Sequence, residues 1–396
     1  MRTKLTRLFI EFFDSERASG VILLVSTMTA LIIANSLFGE KFSELWQFKA
    51  GLDWGLVHLN YDLEHWINDG LMAVFFLLIG LEIEREFYIG ELSDIKNASL
   101  PIFAALGGMA IPALLHFLFN RGLPTQSGFG IPMATDIAFA VGILALLGSR
   151  IPAALKIFLT ALAIVDDLGA IIVITLFYAG KLSLVYLGLS FIVFALMVLL
   201  NRRGVKSLPA YLIPGVLMWY LMLQSGVHAA IAGVLLAFAI PFADGSETSP
   251  SYRLQHTLNK PAAFIIMPLF ALANTGILLS GISIKELFTW NTLGIFAGLF
   301  IGKPLGIVLF SLFAIRLGLS KLPDGITFKH LVGAGFLGGI GFTMSIFVTF
   351  LAFGDSAVAQ ASKIAVMLGS LFAGMTGLFI LSRRFSRFTT RKRHLA

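Results

Sequence analysis

The chain has 396 residues, of which 57% are hydrophobic and only 13% are charged, and its mean hydropathy is +0.89. This composition excludes a soluble domain of that length. The net charge of +7 would suit nucleic-acid binding, but the distribution of the basic residues has a different explanation below. Because the chain has no cysteine, it has no disulfide framework, thiol nucleophile or cysteine-ligated metal.

Apolar runs of about 17–25 residues are long enough to cross a bilayer as helices. The sequence predicts twelve of them, and the seventh and eighth are short. They lie near residues 18–38, 65–88, 98–119, 126–147, 153–178, 182–200, 209–222, 227–241, 261–280, 291–315, 330–352 and 359–382. The predicted fold class is an all-α polytopic membrane protein, with residues 1–396 forming a single transporter domain.

The polar segments outside the spans have their own predictions. Residues 1–17 are expected to form a cytoplasmic interfacial helix rather than a cleavable signal, because three acidic residues precede the first apolar run. Residues 39–64 contain alternating apolar residues around Ala50-Gly51, which favours a small external β-hairpin over an ordinary ordered loop. Residues 384–396 form a basic tail that we expect to lie on the cytoplasmic membrane surface.

The basic residues are distributed asymmetrically across this arrangement. With twelve spans both termini face the same side, and the loops and tails there carry 22 of the 29 Lys and Arg residues. Six lie on the other side, and Lys303 is left inside a span. The positive-inside rule therefore places both termini in the cytoplasm, and it accounts for the net charge without nucleic acid as a partner.

Two stretches, 98–180 and 291–383, are each three predicted spans long and run in opposite senses across the membrane. The middle span of each contains a helix-breaking segment, GIPMATDIAF in the first and FLGGIGFTMSIF in the second. A Thr follows each break, with a Phe four residues later. Interrupted helices at matching positions in two inverted repeats indicate the binding site of a secondary transporter.

Four charged side chains lie inside apolar runs. Asp166 and Asp167 are adjacent in FLTALAIVDDLGAI, Asp136 follows the first break, and Lys303 lies in FIGKPLGI. An ionised group at the centre of a bilayer costs about 3 kcal/mol on insertion scales. Such groups are tolerated where they meet water, a cation or one another, so they indicate an ion or proton path.

Asp166 and Asp167 lie about 100° apart around one helix axis and can border a single cavity. Two carboxylates this close repel each other when both are ionised, so a bound proton or a bound hard cation relieves the repulsion. Competition between cation and protons is then an exchange mechanism, if the site opens alternately to each side. We therefore predict Asp166 and Asp167 as the metal-binding and proton-carrying pair, although one Asp could instead form a structural hydrogen bond.

The broken helices leave partial charges that need neutralising inside the membrane. Asp136 suits the positive half-helix ends, with direct cation ligation as its alternative, and Lys303 suits the negative ends. If Lys303 pairs with Asp166, cation binding would displace the pair and free a proton; its alternative is neutralisation alone. Thr135 is predicted to line the site.

At the cytoplasmic end of the second span, Glu82, Arg85 and Glu86 share one helical face. They form either a solvated cluster or a funnel that attracts cations. His228 lies in or near a span and His256 in a cytoplasmic loop, where either could titrate near neutral pH; a helix-packing role is the alternative for His228. No phosphate loop, HExxH or nucleophile elbow is present, so ATP-driven pumping has no support.

At these residues the sequence resembles the NhaA family of bacterial sodium/proton antiporters, from about residue 15 to 383. The motifs that carry the resemblance are INDGLMAVFFLLIGLEIERE, PMATDIAFAVGIL, FLTALAIVDDLGAI, SGVHAAIAGVLLA, MPLFALANTG, IGKPLGI and GFLGGIGFTMSIF. The resemblance implies electrogenic export of Na+ (or Li+) against uptake of more than one proton, with a role in sodium and pH homeostasis. It also implies a homodimer of the inner membrane, formed through the 39–64 hairpin, and no cofactor.

The resemblance also implies residue roles. Asp166 and Asp167 match the family's ion-binding and proton-carrying pair, Asp136 and Lys303 its compensating charges at the crossed broken helices, and Thr135 its site threonine. Glu82, Arg85 and Glu86 match part of a cytoplasmic funnel linked to shut-down at acid pH, and RLQHTLNKP keeps His256. Gln255 and Asn259 stand where ionisable residues are expected, which affects the pH set point rather than the exchange.

Three other functions are compatible with charged residues inside the membrane, and each has different requirements. A proton-coupled transporter of another small solute would need more hydrogen-bonding variety than this site offers. An intramembrane aspartyl protease would need facing carboxylates on different helices, for which Asp136 and Asp166 qualify, but the chain has no GxGD motif. A passive channel would conduct without proton countertransport.

Overall fold

The computed structural model of the protein describes residues 2–51, 53–54, 57–148, 151–281 and 283–382, so the predicted basic tail at 384–396 lies outside the described residues. The chain is overwhelmingly helical. The helices are α1 (Arg2–Ala34), α2 (Gly39–Gln47), α3 (Leu63–Tyr88), α4 (Ile95–Phe119), α5 (Ile137–Leu146), α6 (Ala153–Phe177), α7 (Leu184–Arg202), α8 (Pro209–Ser225), α9 (Ala230–Ala239), α10 (Pro250–Pro261), α11 (Met267–Asn274), α12 (Trp290–Arg316), α13 (Phe328–Gly338), α14 (Phe342–Phe353) and α15 (Ala357–Ser382).

Six of the described helices are long and apolar enough to cross a membrane, namely α3, α4, α6, α7, α12 and α15. Two bent pairs raise the number to eight if each is one span: residues Ala18–Ala34 of α1 with α2, and α13 with α14. These lengths and hydropathies confirm an all-α, multi-pass membrane protein. The count of twelve spans stays a prediction.

The polar segment after α1 begins with α2 and continues as a narrow antiparallel ladder. Strand β1 (Lys49–Ala50) pairs with β4 (Tyr61–Asp62), and β2 (Asp53–Trp54) pairs with β3 (Val57–His58). The predicted hairpin is therefore present, although its strands fill only the second half of the 39–64 segment. The Trp66 indole donates to the Ala50 carbonyl at 2.7 Å, which ties the ladder to the start of α3.

Two interrupted helices meet at their breaks in the middle of the molecule. A 3₁₀ turn at Pro124–Gly130 leads into a non-helical stretch that ends at the start of α5, and α13 and α14 are bent by 42° at their own break. The Asp136 backbone N–H, in the first break, donates to the Ile340 carbonyl in the second at 2.7 Å. The Ser345 hydroxyl donates to the Ile131 carbonyl at 2.6 Å. Each break thus satisfies backbone groups of the other, as non-helical backbone at membrane depth requires.

Small residues let the central helices approach closely. A Cβ atom placed on Gly107 of α4 would strike the carbonyl of Gly306 in α12, and a Cβ on Gly306 would strike the carbonyl of Gly107. This reciprocal contact places the backbones of α4 and α12 directly against each other, as in small-residue helix packing in membranes. Since α12 carries Lys303, the contact also fixes the position of that side chain.

We expect Gly306→Ala to destabilise the protein by about 1–3 kcal/mol, because the added methyl group overlaps the Gly107 carbonyl and forces α4 and α12 apart. Thermal unfolding in detergent measures the change. Gly188→Ala is the matched control, because a Cβ at this exposed position of α7 meets nothing within 4 Å. Equal melting temperatures for the two variants would contradict the prediction.

Candidate ion-binding site

The two adjacent aspartates lie in the middle of α6, a helix of 25 residues. Asp166 is 0% exposed and Asp167 is 1% exposed, so neither carboxylate reaches bulk solvent in this conformation. The other residues of the helix are mostly apolar, apart from Lys156 near its start and two Thr residues, and its interior positions pack in the main hydrophobic core. The middle of α6 therefore presents two carboxylates in an apolar stretch, at the level of the two helix breaks.

Lys303 forms an ion pair with Asp166. Its ammonium contacts Asp166 Oδ2 and also donates to the carbonyl of Met133, and the lysine is 0% exposed. Lys303 begins the second α-helical part of α12, immediately after a π turn at Gly298–Gly302 and before Pro304. The predicted pairing of Lys303 with Asp166 is thus present in the structure, and the same ammonium compensates a bare carbonyl of the first break.

Thr135 links the first break to both α6 and the second break. Its hydroxyl lies 2.6 Å from Asp166 Oδ2 and 2.8 Å from the carbonyl of Gly338, the last residue of α13. One hydroxyl hydrogen serves one of these acceptors at a time. Thr135 therefore lines the aspartate site as predicted, and it responds to any change in the charge of Asp166.

Asp136 caps two helices at once. Its Oδ1 accepts from the Phe139 N–H at 3.1 Å, at the start of α5, and its Oδ2 accepts from the Thr343 N–H at 3.0 Å, at the start of α14. The Thr343 hydroxyl also donates to Oδ2. One carboxylate thus lies at the positive ends of two half-helices, where negative charge is stabilising. This geometry supports charge compensation over direct cation ligation for Asp136.

Sequence reasoning missed three partners in this centre. They are the carbonyls of Met133 and Gly338, which approach Lys303 and Thr135, and the second-break Thr343, which binds Asp136. Thr343 had been noted only as the counterpart of Thr135 in the other repeat. The sequence did carry a signal for Thr343. A Thr in the first turn of the half-helix after the second break is placed to meet a carboxylate at the start of the half-helix after the first break.

Two carboxylate oxygens have no partner in this network. Asp166 Oδ1 and Asp167 Oδ1 are buried, and neither has a hydrogen-bond partner among the described residues. A buried acceptor without a donor costs about 1–3 kcal/mol. A proton or a hard cation bound at these oxygens removes that cost, because hard cations prefer oxygen ligands and a carboxylate oxygen also binds a proton. Binding of a cation or protons at Asp166 and Asp167 stays a prediction, and these two oxygens are the atoms it concerns.

No group of three or more His, Asp or Glu side chains within the described ranges is arranged to hold a metal ion.

The predicted funnel residues Glu82, Arg85 and Glu86 lie at the C-terminal end of α3. Arg85 Nη2 lies 3.1 Å from Glu86 Oε1, and Glu86 Oε2 accepts from the Glu91 N–H at 3.0 Å. Glu82 is half-buried and hydrogen-bonded to Gln255 of α10. Burial raises the pKa of the Glu91 carboxyl, which lies outside the span beside Glu86. The three predicted residues are therefore close together, with α10 packed against them.

His256 is not part of this cluster by any contact in the described chain. Its ring is exposed and stacks on Tyr252, with centroids 6.2 Å apart. The sequence reading missed Glu84, which is 7% exposed and accepts from the Ser251 hydroxyl at 3.1 Å. The contact of α10 with α3 is thus made by Glu84 and Glu82, with Ser251 and Gln255 opposite them.

Comparison with known proteins shows which family the chain belongs to. The Na+/H+ antiporter 1 family matches residues 10–381, which is nearly the whole chain. The chain belongs to this family. Among proteins named Na(+)/H(+) antiporter NhaA, that of Dechloromonas aromatica is 57% identical over 386 residues, covering 96% of this chain and 97% of the relative. That of Cytophaga hutchinsonii is 52% identical over 378 residues, covering 96% of each chain.

A more distant relative with the same name, from Escherichia coli O1:K1 / APEC, is 47% identical over 370 residues, covering 92% of this chain and 95% of the relative. The identity therefore extends through both broken helices and α6. The resemblance read from the sequence motifs is confirmed.

We expect Asp136→Asn to lower stability by about 1–3 kcal/mol, because an amide has one oxygen where the native cap uses two, and the Thr343 N–H or the Phe139 N–H loses its acceptor. Thermal unfolding in detergent is the measurement. Asp324→Asn makes the same chemical change at an exposed loop carboxylate and serves as the control. A melting temperature for Asp136→Asn equal to that of the control would show that the double cap contributes no stability.

Proposed function

We propose that this protein is a secondary antiporter that exports Na+, and also Li+, in exchange for external protons. Membership of the Na+/H+ antiporter 1 family supports Na+ and H+ as the two ions that are exchanged. The observation that carries the mechanism is the unpartnered oxygen on each of Asp166 and Asp167 beside a buried lysine. The protein is accordingly a transporter and not an enzyme, and the exchange needs no cofactor.

The exchange proceeds by charge competition at α6. A cation that reaches Asp167 and the free oxygen of Asp166 competes with Lys303 for the Asp166 carboxylate. Displaced from its counter-ion in a dry site, the ammonium favours its neutral form, and its proton leaves with the proton of the carboxylate pair. When the cation departs to the outside, external protons bind Lys303 and the carboxylate pair, and the ion pair of Lys303 with Asp166 forms again. This cycle moves more than one proton per cation and is therefore electrogenic.

Asp136 and Thr135 keep the breaks together while the charge changes. Asp136 remains hydrogen-bonded to both half-helices, so its charge stays matched to the helix ends. Thr135 has two acceptors in reach and can turn from Asp166 to Gly338 when the carboxylate is occupied. The shared joint lets both broken helices move as one body in alternating access.

The proposed membrane topology is the one predicted from the sequence. We propose twelve spans with both termini in the cytoplasm of a bacterial inner membrane. The proposal is supported by the two three-helix units α4, α5, α6 and α12, α13–α14, α15, whose flanking helices have 25, 25, 27 and 26 residues. The reciprocal packing of Gly107 and Gly306 relates the first helix of one unit to that of the other, as inverted repeats around an axis would.

Dimer formation and pH control belong to the same proposal. The strand pairs β1–β4 and β2–β3 form a narrow antiparallel ladder, and we propose that it pairs with the same ladder of a second copy in a homodimer. Glu82, Arg85 and Glu86 with α10 form the cytoplasmic cluster that regulates exchange by pH, and His256 contributes from an exposed position on α10 without contacting them. Sodium and pH homeostasis would be the cellular role.

The alternatives fit the geometry less well. An aspartyl protease would pair Asp136 with Asp166, but both oxygens of Asp136 are already held by backbone and Thr343 donors. A transporter of an organic solute would need donors and acceptors around a cavity, whereas the free groups here are two carboxylate oxygens.

The test is exchange in liposomes that hold a pH gradient. Addition of Na+ or Li+, but not K+, is expected to collapse the gradient for the native protein, and Asp167→Asn is expected to abolish the response because it removes one of the two competing carboxylates. Glu286→Gln, an exposed carboxylate change in the loop before α12, is the control. Absence of any Na+ response across the neutral and alkaline range would overturn the antiporter proposal, and cleavage of a membrane peptide without Na+ would favour the protease.

A further inference from the structure

A second group of titratable side chains lies at the end of α3 opposite to Glu82. Asp69 is 5% exposed and sits in a π turn at Trp66–Leu71. Its Oδ2 lies 3.1 Å from His65 Nε2, and its Oδ1 lies 3.3 Å from His228 Nε2. One buried carboxylate therefore faces an imidazole on each oxygen, and none of the three residues takes part in the site on α6.

The two histidines are not equivalent. His228 Nδ1 accepts from the Ala230 N–H at 3.3 Å, so the neutral ring carries its hydrogen on Nε2, directed at Asp69. A second proton on Nδ1 would break this backbone contact at the start of α9. His228 is therefore held neutral with Nε2 facing Asp69 Oδ1 at 3.3 Å, and it acts as a positioning residue rather than as a carrier.

His65 is the member that reaches water. Its side chain is 32% exposed, and its ring stacks on Tyr61 with centroids 4.2 Å apart and planes 19° apart. Its Nε2 approaches Asp69 at ion-pair distance without the alignment of a hydrogen bond. A small rotation of this ring would take Nε2 from Asp69 toward the surface. Histidine is also the side chain whose charge ordinarily changes between about pH 5 and 8.

The cluster lies on the other side of an apolar barrier from the aspartate site. The His228 ring meets the Phe347 ring edge-on with centroids 5.1 Å apart, and Phe347 packs on Phe76 at 5.4 Å. Phe347 and Phe76 line a small cavity together with Ile171, which is one helical turn beyond Asp167 in α6. A layer of apolar side chains therefore separates Asp69 from Asp167, and movement of Phe347 with α14 would open a path between them.

The two histidines are the titratable side chains that face the Asp69 carboxylate directly. The Trp219 indole donates to the Asp69 carbonyl at 2.8 Å, and Asn68 beside it exchanges hydrogen bonds with Asn274 of α11. The remaining titratable groups on the packed elements are Tyr61 and Tyr220 near Asp69, Asp62, which accepts from the His65 N–H, and Glu64, which faces Lys363 and Asp355.

We propose that His65 and Asp69 form a proton-collecting pair at the outer mouth of the ion path. The inference rests on the proposed antiport. His65 Nε2 is itself buried beside Asp69 in this conformation. When the ring rotates toward the surface, Nε2 binds an external proton; when the ring turns back, the imidazolium transfers this proton to Asp69 Oδ2 and becomes neutral again. The protonated Asp69 then supplies the aspartate site when the barrier opens. His228 keeps Asp69 oriented throughout, and no further reactant is needed.

The test compares two transport modes of the same protein in oriented vesicles. Asp69→Asn and His65→Phe are the variants; the second keeps a ring on Tyr61 and removes only the titratable nitrogens. We expect Na+/H+ exchange to fall about tenfold when the hairpin side is alkaline, since a positioned proton-transfer group contributes at least this much to a rate. The deficit is expected to close as the hairpin side is made acidic, because water-borne protons then suffice.

Exchange of labelled Na+ for Na+ needs no proton delivery, so both variants are expected to keep it within about twofold of the native rate. Glu286→Gln is the matched surface control. Native-like Na+/H+ profiles in both variants would overturn the relay, and so would equal loss of both transport modes, which indicates a structural role. If Asp69→Asn does not fold, His65→Phe decides alone. A native protein without Na+-driven proton movement would instead overturn the antiport itself.

Discussion

Burial of charge and of unpaired backbone groups inside a bilayer is the constraint on which this structure depends. Both breaks would be costly if each stood alone, because their carbonyls and N–H groups have no water to bind. In the structure they meet, and Asp136, Thr135, Thr343 and Lys303 supply the missing partners. Two of these groups, Thr135 and Lys303, also hold Asp166, so the contacts that satisfy the breaks help to build the site.

This coupling has a mechanical consequence. Asp166 is held by Lys303 and Thr135, and these in turn bind carbonyls at the end of the first break and at the end of α13. A change of charge at Asp166 therefore changes the contacts of both broken helices together. An exchanger needs such a link, because a bound ion shifts an equilibrium only through contacts that differ between the two states.

Much of the centre could be predicted from the sequence because the penalty for charge in the membrane is local. Asp166, Asp167, Asp136 and Lys303 stand out in apolar runs whatever the fold, and the Gly-rich interruptions mark backbone that cannot remain helical. The resemblance to a sodium/proton antiporter family, confirmed over residues 10–381, follows from the same segments. The proximity of Glu82, Arg85 and Glu86 could also be predicted, because i, i+3 and i+4 positions share a helix face whatever surrounds them, whereas their role as a funnel stays a prediction.

The sequence by itself thus determined that this is a helical membrane protein, which residues carry charge inside it, and where its helices break. Only the tertiary structure decided which of these side chains contact one another. Asp136 caps both half-helices, and Lys303 pairs with Asp166 and donates to the Met133 carbonyl. Asp69 lies between His65 and His228. Most of these contacts join residues that are far apart in the chain. The physical reason is that spacing along a helix fixes which face a side chain occupies, whereas helix packing fixes what lies opposite that face.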